Sequence, residues 1–343
     1  MLYVPVVSKA GKPLMPCHPA RARELVRKGK AVRRFNRGVF YIQLTERENG
    51  QTQPIGVGVD PGSKKEAYTV KSEAHTYLNV QADAVTWVGD AMKTRREMRH
   101  GRRNRKTPCR KPRFNRARGG LSPSTKARWQ WKLRICQWLA RMYPIACFVV
   151  EDVKAVTRGK RRWDTSFSPL QVGKQWFYGE LCKVSQVETK RGHETKEMRE
   201  ARGLVKAENK LAEVFEAHCV DSWVLADWYT GGDAQPDNKW LLCLTPLRFH
   251  RRQLHRLQPE KGGVRKPYGG TRSLGLKRGS LVKHVRYGLV YVGGYLKDRV
   301  SLHSLSDGKR LCQNAKVSEC KFLSYNSWRV TIPLPSKLGS PLA

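Results

Sequence analysis

Residues 55–64, which read IGVGVDPGSK, constrain the fold more than any other stretch of this chain. Ile55, Val57 and Val59 alternate with glycines, a pattern typical of a buried strand, and the Pro-Gly pair after Asp60 indicates a turn. The pattern therefore predicts a strand that ends on a carboxylate. A carboxylate fixed at the end of a buried strand is well placed to bind a hard cation such as Mg²⁺.

Two later stretches have the same mixture of apolar and acidic residues. Residues 146–153, ACFVVEDV, form an apolar run that is interrupted only by Glu151 and Asp152, and we interpret the run as a strand. Side chains alternate along a strand, so we expect Asp152 to face away from Glu151. Residues 216–227, EAHCVDSWVLAD, indicate a helix. We expect these two segments and the strand before Asp60 to converge on one site for divalent metal.

The helix that contains this last segment is predicted to run over residues 204–229. His218 and Asp221 fall in its apolar stripe, where a polar side chain requires either a hydrogen-bonding partner or a ligand. A single buried His is more often hydrogen-bonded than metal-bound, but an Asp three residues further on favours a ligand. The apolar members of the stripe are Leu211, Val214, Phe215 and Leu225, with Ser222 beside them.

Hydrolysis of a phosphodiester by two divalent ions requires carboxylates that hold the ions about 3.5–4 Å apart. We expect Asp60 to bridge two Mg²⁺ ions, Glu151 to be a second ligand and Asp221 to complete the set, with Mn²⁺ as a possible substitute. We expect His218 to orient water or to carry a proton. An alternative for Asp60 is the phosphate-loop aspartate of the actin-like ATPases, which also follows a strand as D-x-G. The charge of the chain favours the first interpretation.

That charge is +39, from 67 Lys and Arg residues against 28 Asp and Glu residues, and it predicts a polyanionic partner. The sequence contains neither an apolar run of about 18 residues nor a signal-peptide pattern, so we expect no membrane partner and a location in the prokaryotic cytoplasm. The nine cysteines are scattered without a Cys-x-x-Cys pair, which argues against zinc.

Residues 92–118 concentrate this charge, with thirteen Lys or Arg residues against one acid, Glu97. A segment of this composition cannot form an apolar core, and it interrupts two halves of what the sequence indicates to be one core. We therefore expect it to contact nucleic acid, partly as a helix that ends at Pro108 and Pro112. The expected contacts are Arg95, Arg96, Arg99, Arg102, Arg103, Arg105, Lys106, Arg110, Lys111, Arg113 and Arg116.

The remaining segments predict a small module, a core and a β-rich end. Residues 3–7 and 39–44 indicate strands, residues 9–19 are rich in turn formers, and residues 20–29 indicate a basic helix. Beyond Asp60, we predict strands at 66–71 and 75–80, a helix at 126–143, and helix and loop over 154–202. Short strands are predicted at 282–286, 289–295, 299–304, 321–324 and 328–332, and a small barrel would accommodate them.

These motifs resemble a known family. GVGVDPGSK with Asp60, FVVED with Glu151, and HCVDSWVLAD with His218 and Asp221 resemble the three motifs of a split RuvC-like nuclease. The basic segment resembles the bridge helix of the large CRISPR RNA-guided nucleases. Residues 13–16, PLMP, match the motif that names the first domain of the transposon-encoded IscB and IsrB family. The interval between motifs II and III is too short for an HNH nuclease, so the resemblance is to the HNH-lacking members, IsrB.

The resemblance implies an α/β fold in which a split RuvC/RNase H-like core carries an Arg-rich bridge helix, with a barrel-like β-rich domain at the carboxyl end. It also implies a structured guide, the ω RNA, that pairs with double-stranded target DNA in an R-loop, and a monomer that nicks the non-target strand. The implied divisions are a PLMP domain at 1–52, a first RuvC-like part at 53–91, the bridge helix at 92–120, second and third RuvC-like parts at 121–230, and a wedge-like, target-adjacent-motif-interacting region at 231–343.

Two other functions fit the same composition. One is an RNA-binding or ribosome-associated protein without catalysis, in which the acids are structural. The other is a junction nuclease that requires no RNA.

Overall fold

The computed structural model describes residues 3–105, 121–152, 173–232, 235–247, 257–258, 263–264, 272–296 and 298–333. The chain forms two compact units, one of Met1–Val32 with Ile42–Cys243 and the other of Arg33–Tyr41 with Leu244–Ala343. Helices and several sheets occur together, which confirms the mixed α/β class. Of the described helices, none has both the length and the apolar character needed to cross a membrane.

The amino-terminal module is a four-stranded sheet with one helix. Its elements are β1 (Val4–Val7), β2 (Pro13–Cys17), α1 (Pro19–Arg27), β3 (Ala31–Asn36) and β4 (Val39–Leu44), and the strand order is β2-β1-β4-β3. The strands predicted at residues 3–7 and 39–44 and the basic helix predicted at residues 20–29 are confirmed. The turn-rich interpretation of residues 9–19 is wrong over β2, where PLMPC forms an edge strand. Proline is tolerated at an edge because one side of the strand needs no ladder hydrogen bonds.

The largest sheet of the first unit contains β5 (Ile55–Asp60), β6 (Lys65–Lys71), β7 (Thr76–Asp83), β8 (Ile145–Asp152), β9 (Gln186–Arg191) and β10 (Leu241–Pro246). Within this unit the strands lie in the order β10-β7-β6-β5-β8-β9. The predicted meander is confirmed, since β5, β6 and β7 pair antiparallel in succession. Strand β8 pairs parallel with β5, and β9 pairs parallel with β8. The carboxyl ends of β5, β8 and β9 therefore meet at one edge of the sheet.

Five described helices accompany this sheet: α2 (Trp87–Asn104), α3 (Pro123–Ala140), α4 (Lys174–Cys182), α5 (Gly192–Ala201) and α6 (Phe215–Thr230). Helix α6 packs across β5, β6 and β8. It approaches β5 so closely that a Cβ atom at Gly58 would lie 1.8 Å from the carbonyl oxygen of Ser222. Glycine at position 58 therefore sets the distance between the helix and the strand that carries Asp60.

The predicted helix over residues 204–229 is wrong in its first third, because α6 begins only at Phe215. Gly203 has φ +63°, a left-handed conformation that residues with a side chain rarely adopt, and it ends the turn after α5. The side chain of Asn209 accepts a hydrogen bond from the backbone N–H of Leu211, a local turn that competes with helix formation. Leu211, expected in the apolar stripe, is consequently exposed. His218 and Asp221 remain on the helix.

The predicted basic helix is present as α2, which carries Arg95, Arg96, Arg99, Arg102 and Arg103 and ends just before Arg105. The other predicted contacts lie outside the described residues: Lys106, Arg110, Lys111, Arg113 and Arg116. Pro108 and Pro112, expected to end this helix, also lie outside them.

The second unit is rich in short strands, as the sequence predicts. They are β11 (Leu257–Gln258), β12 (Gly263–Val264), β13 (Arg272–Ser273), β14 (Leu276–Lys277), β15 (Ser280–His284), β16 (Gly288–Leu296), β17 (Arg299–Ser304), β18 (Arg310–Lys316), β19 (Cys320–Tyr325) and β20 (Trp328–Thr331). Five of them form an antiparallel sheet in the order β18-β17-β16-β15-β19 around Val282, Val290, Val292, Val300 and Leu302. Strand β18 was not predicted, because its sequence RLCQNAK lacks apolar alternation.

Candidate active site

Asp60 and Glu151 lie side by side at the edge where the parallel strands end. Val59 on β5 pairs with Val150 on β8, so the next residue of each strand is also in register. Gly58 faces α6, and Asp60, two residues further along, faces the same way because side chains alternate along a strand. The register thus places two carboxyl groups together beneath the amino-terminal end of α6.

His218, in the first turn of α6, contacts Asp60 directly. Its Nδ1 atom lies 3.2 Å from Oδ2 of Asp60, and its Nε2 atom lies 2.8 Å from the carbonyl oxygen of Lys210. The imidazole therefore joins the carboxylate of Asp60 to the backbone of the segment before α6.

Glu151 is half-buried, and its ionisation reflects its acidic neighbours. Burial raises the pKa of Glu151 to about 8, and the negative charge of Asp60, a hydrogen bond with that carboxylate and the charge of Asp221 act in the same direction. Lys206 opposes them only in part. Three carboxyl groups from β5, β8 and α6 thus lie within electrostatic reach of one another. Such a cluster is stabilised either by protonation or by a cation.

The third carboxylate, Asp221, is 3% exposed and is bound by two basic side chains. Arg199 on α5 donates to Oδ1 at 2.5 Å, and Lys206, between α5 and α6, donates to Oδ2. Both oxygens are therefore occupied by cations from the segment that precedes the helix. Arg199 and Lys206 were not predicted as site residues from the sequence, because only the fold brings them to Asp221.

The ligand chemistry fits Mg²⁺ better than a softer metal. Carboxylate oxygens are the donors that Mg²⁺ prefers, and Asp60 and Glu151 supply them. In the part of the chain that the structure describes, however, no three His, Cys, Asp or Glu side chains are already spaced as a metal-binding set. Asp60 and Glu151 lie together, whereas Arg199 and Lys206 bind both carboxylate oxygens of Asp221.

A buried ion pair lies behind Asp60. Lys132 of α3 binds Glu66 of β6, and the hydroxyl of Tyr68 donates to the same carboxylate at 2.8 Å. Lys132 also donates to the carbonyl oxygen of Gly62, in the turn that follows Asp60, at 3.3 Å. This contact ties the turn to α3. The hydrophobic periodicity of α3 did not predict the contact between Lys132 and this turn, because a lysine in an amphipathic helix is normally assigned to the solvent face.

Asp152 belongs to different surroundings from Glu151. Its carboxylate accepts hydrogen bonds from Lys174 at 2.6 Å and from the hydroxyl of Tyr178 at 3.1 Å, both on α4. The expectation that Asp152 lies apart from the other carboxylates agrees with these contacts.

The described part of the basic segment presents its charge to solvent. On α2, the side chains of Arg95, Arg96, Arg99 and Arg103 are exposed, and Val88 is the buried residue of the helix. A helix that buries so little apolar surface needs another partner to hold it in place. Its cations are available for phosphate groups.

Comparisons with known proteins give two similarities. A family model described as RRXRR protein matches residues 4–161, just under half of the chain. Among solved structures, T. thermophilus RuvC in complex with Holliday junction substrate is similar at 12% identity, over 54% of this chain and 99% of that chain, with a TM-score of 0.29. No curated protein matches the chain.

Proposed function

We propose that this protein is a Mg²⁺-dependent nuclease that is guided by a bound RNA and nicks one strand of target DNA. The observation that carries the proposal is the in-register pair Asp60 and Glu151, with Asp221 close enough to raise the pKa of Glu151. Gathering three acids in a half-buried place is costly for a purely structural purpose. The cost is explained if the acids hold divalent cations.

When bound, the metal ions supply an activated water and stabilise the leaving oxygen. The residues of this chain then have separate tasks. Asp60 and Glu151 would hold the ions, and Asp221 would be a third ligand if Arg199 and Lys206 paired with the phosphates of the substrate instead. His218, whose Nδ1 lies next to Asp60, would orient the attacking water or move a proton.

Two features support nucleic acid as the substrate. The chain carries a net charge of +39, and Arg95, Arg96, Arg99 and Arg103 of α2 are exposed. The order β7-β6-β5-β8-β9, with an antiparallel meander followed by two parallel strands, is the arrangement that an RNase H-like core requires.

The finer parts of the proposal come from the resemblance. An ω RNA would pair with the target strand in an R-loop, the region 231–343 would read a target-adjacent motif, and the RuvC-like site would nick the displaced strand. In this arrangement, base pairing supplies the sequence specificity and the protein contacts backbone and A-form shape. The ribonucleoprotein would contain one copy of the chain.

A second candidate is an RNA-binding protein without catalysis. The ion pairs that Arg199 and Lys206 form with Asp221 favour it, because they satisfy the third carboxylate without any metal. In that case, removing the acids would leave RNA binding intact and cleavage would be absent with every metal.

The test begins with RNA that copurifies with the protein. We expect one structured species with a variable end, and a supercoiled plasmid that carries the matching sequence should be nicked in Mg²⁺. Asp60→Ala and Glu151→Ala should abolish nicking and leave the R-loop intact. Nicking by Asp60→Ala at the wild-type rate would refute the assigned site. Nicking that survives RNase treatment would indicate a junction nuclease instead.

A further inference from the structure

The row of residues that contains Asp60 and Glu151 continues onto the edge strand β9. Glu151 pairs in register with Lys190, so a carboxylate, a second carboxylate and an ammonium group follow one another across three parallel strands. Neighbours in register share a face of the sheet. Lys190 therefore belongs to the same face as the candidate metal ligands, one strand spacing of about 4.8 Å further out.

Lys190 covers an aromatic side chain that the proposed chemistry does not use. Its Nζ atom lies 3.7 Å from the ring centroid of Trp228. Trp228 is 45% exposed, although Leu225, Ala226 and Asp227 before it on α6 are buried. An exposed cation–π pair contributes little to stability. Exposure of a large indole therefore needs another explanation.

Helical geometry relates Trp228 to the site. It follows Asp221 by seven residues, which is two turns of α6, so both side chains lie on one stripe of the helix about 10 Å apart along its axis. Successive nucleotides of an extended single strand are spaced by several ångströms. If one phosphate of such a strand lies at the carboxylates, a base one or two nucleotides further along the strand can reach Trp228.

Among the described residues, the ion-pair partner of Lys190 is shared with a helix cap. Glu194 is the nearest acid, at 3.8 Å from Nζ, but its carboxylate also accepts a hydrogen bond from the backbone N–H of Arg191 at 2.6 Å and caps α5. Lys190 is thus only loosely paired. Arg191 follows it at the end of the edge strand and is exposed.

We infer that Lys190 and Trp228 form a subsite for the single strand that is cut, in which one base stacks on the part of the indole that Lys190 leaves exposed and the neighbouring phosphate contacts the ammonium group. Stacking on an aromatic side chain accepts any base, so this subsite positions the strand without reading its sequence. The inference rests on the proposed nuclease function and names the substrate of that site as single-stranded DNA.

The test uses 2-aminopurine, whose fluorescence falls when the base stacks. The probe is a DNA bubble with 2-aminopurine at successive positions of one open strand, bound to the protein purified with its RNA. Where that RNA has a variable end, the other strand of the bubble is complementary to it. In the wild type we expect quenching at one or two adjacent positions. Trp228→Ala should abolish it, Trp228→Phe should retain most of it, and Trp240→Ala, which removes another exposed tryptophan, should leave it unchanged.

The nicking reaction gives a second readout. Trp228→Ala should raise the KM for the bubble about tenfold with little change in kcat, which is the size of effect expected for one stacked base. Lys190→Gln should lower the salt slope of binding by about 0.7. Unchanged quenching and KM in Trp228→Ala, in a protein that nicks, would overturn the subsite and leave the nuclease standing. Quenching that depends on Trp228 in a protein that never nicks would retain the subsite and refute the proposed reaction.

Discussion

Lys132 binds Glu66 where both side chains are almost completely buried, directly behind the turn that follows Asp60. A buried ion pair adds little net stability, but removing one partner leaves an uncompensated charge in a dry environment. The pair also holds the carbonyl oxygen of Gly62. The position of Asp60 therefore depends on a lysine of α3, which is distant in sequence.

We predict that Lys132→Met lowers the free energy of unfolding by about 3–5 kcal/mol, because the carboxylate of Glu66 is left buried without its cation. Combining it with Glu66→Gln should recover part of the loss, which urea unfolding would measure. Lys183→Met provides the control, since Lys183 is exposed and pairs with Glu180 on the surface. A single substitution at position 132 that costs no more than this control would contradict the structural role of the pair.

The stability of the metal-free protein should depend on pH through Glu151. The pKa of this carboxyl is about 8 in the folded protein against 4.5 for an ordinary glutamate, so between these values the folded state retains a proton that the unfolded chain has lost. The stabilisation is complete below pH 4.5 and is lost as the pH rises towards 8. In EDTA, Tm should therefore fall from pH 5 to pH 8, and Glu151→Gln should reduce that fall.

Two further variants refine this measurement. Asp60→Asn removes a neighbouring negative charge and should reduce the pH dependence in part. Glu180→Gln, at a partly exposed helix position away from the carboxylate cluster, should leave it as in the wild type. Identical Tm curves for the wild type and Glu151→Gln would show that this carboxyl is not perturbed.

Close contact between α6 and β5 should make Gly58 intolerant of any side chain. A methyl group there would lie 1.8 Å from a backbone oxygen, so Gly58→Ala has to displace the helix that carries His218 and Asp221. We expect a loss of about 3 kcal/mol in unfolding free energy. Gly179→Ala, in α4 with nothing within 4 Å of the new methyl group, should be neutral or stabilise by up to about 1 kcal/mol. Equal effects at both positions would contradict the packing.

Exposed arginines on α2 should dominate the salt dependence of RNA binding. Replacing Arg95, Arg96, Arg99 and Arg103 by glutamine should weaken binding, and the slope of log K against log salt should fall by about 0.7 for each phosphate that the variant no longer neutralises. Fluorescence anisotropy at several salt concentrations would measure this. Lys183→Gln with Lys196→Gln removes two exposed lysines that are paired with glutamates, and it should change the slope far less.

The strand ends were predictable because their sequence carries a local signal. Val57 and Val59 alternate with glycines before Asp60, and an apolar run precedes Glu151, so period and composition were enough to identify both strands. Helix α6 was identified for the same reason, but its start was misplaced by eleven residues. The sequence of residues 204–214 favours a helix, but Gly203 with its positive φ precedes this segment and the turn at Asn209 lies within it.

Other parts of the site could not be predicted from local sequence patterns. Strand β9, QVETKR, is so polar that its sequence does not predict a strand. The pairing of Lys190 with Glu151 therefore could not be predicted. Arg199 and Lys206 reach Asp221 only because α5 folds against α6. Such contacts are set by tertiary packing, which neither hydrophobic period nor residue spacing encodes.

We propose above all that the carboxylates of Asp60 and Glu151 bind divalent metal together, with Asp221 as their third partner. Electron paramagnetic resonance of Mn²⁺ titrated into the metal-free protein tests this without reference to guide, target or cleavage. We predict saturable binding that Asp60→Asn and Glu151→Gln each weaken at least about tenfold, as expected when a metal ligand is removed, while Glu180→Gln has no effect. Mn²⁺ binding that is equally tight in the wild type and in both variants would contradict the proposal.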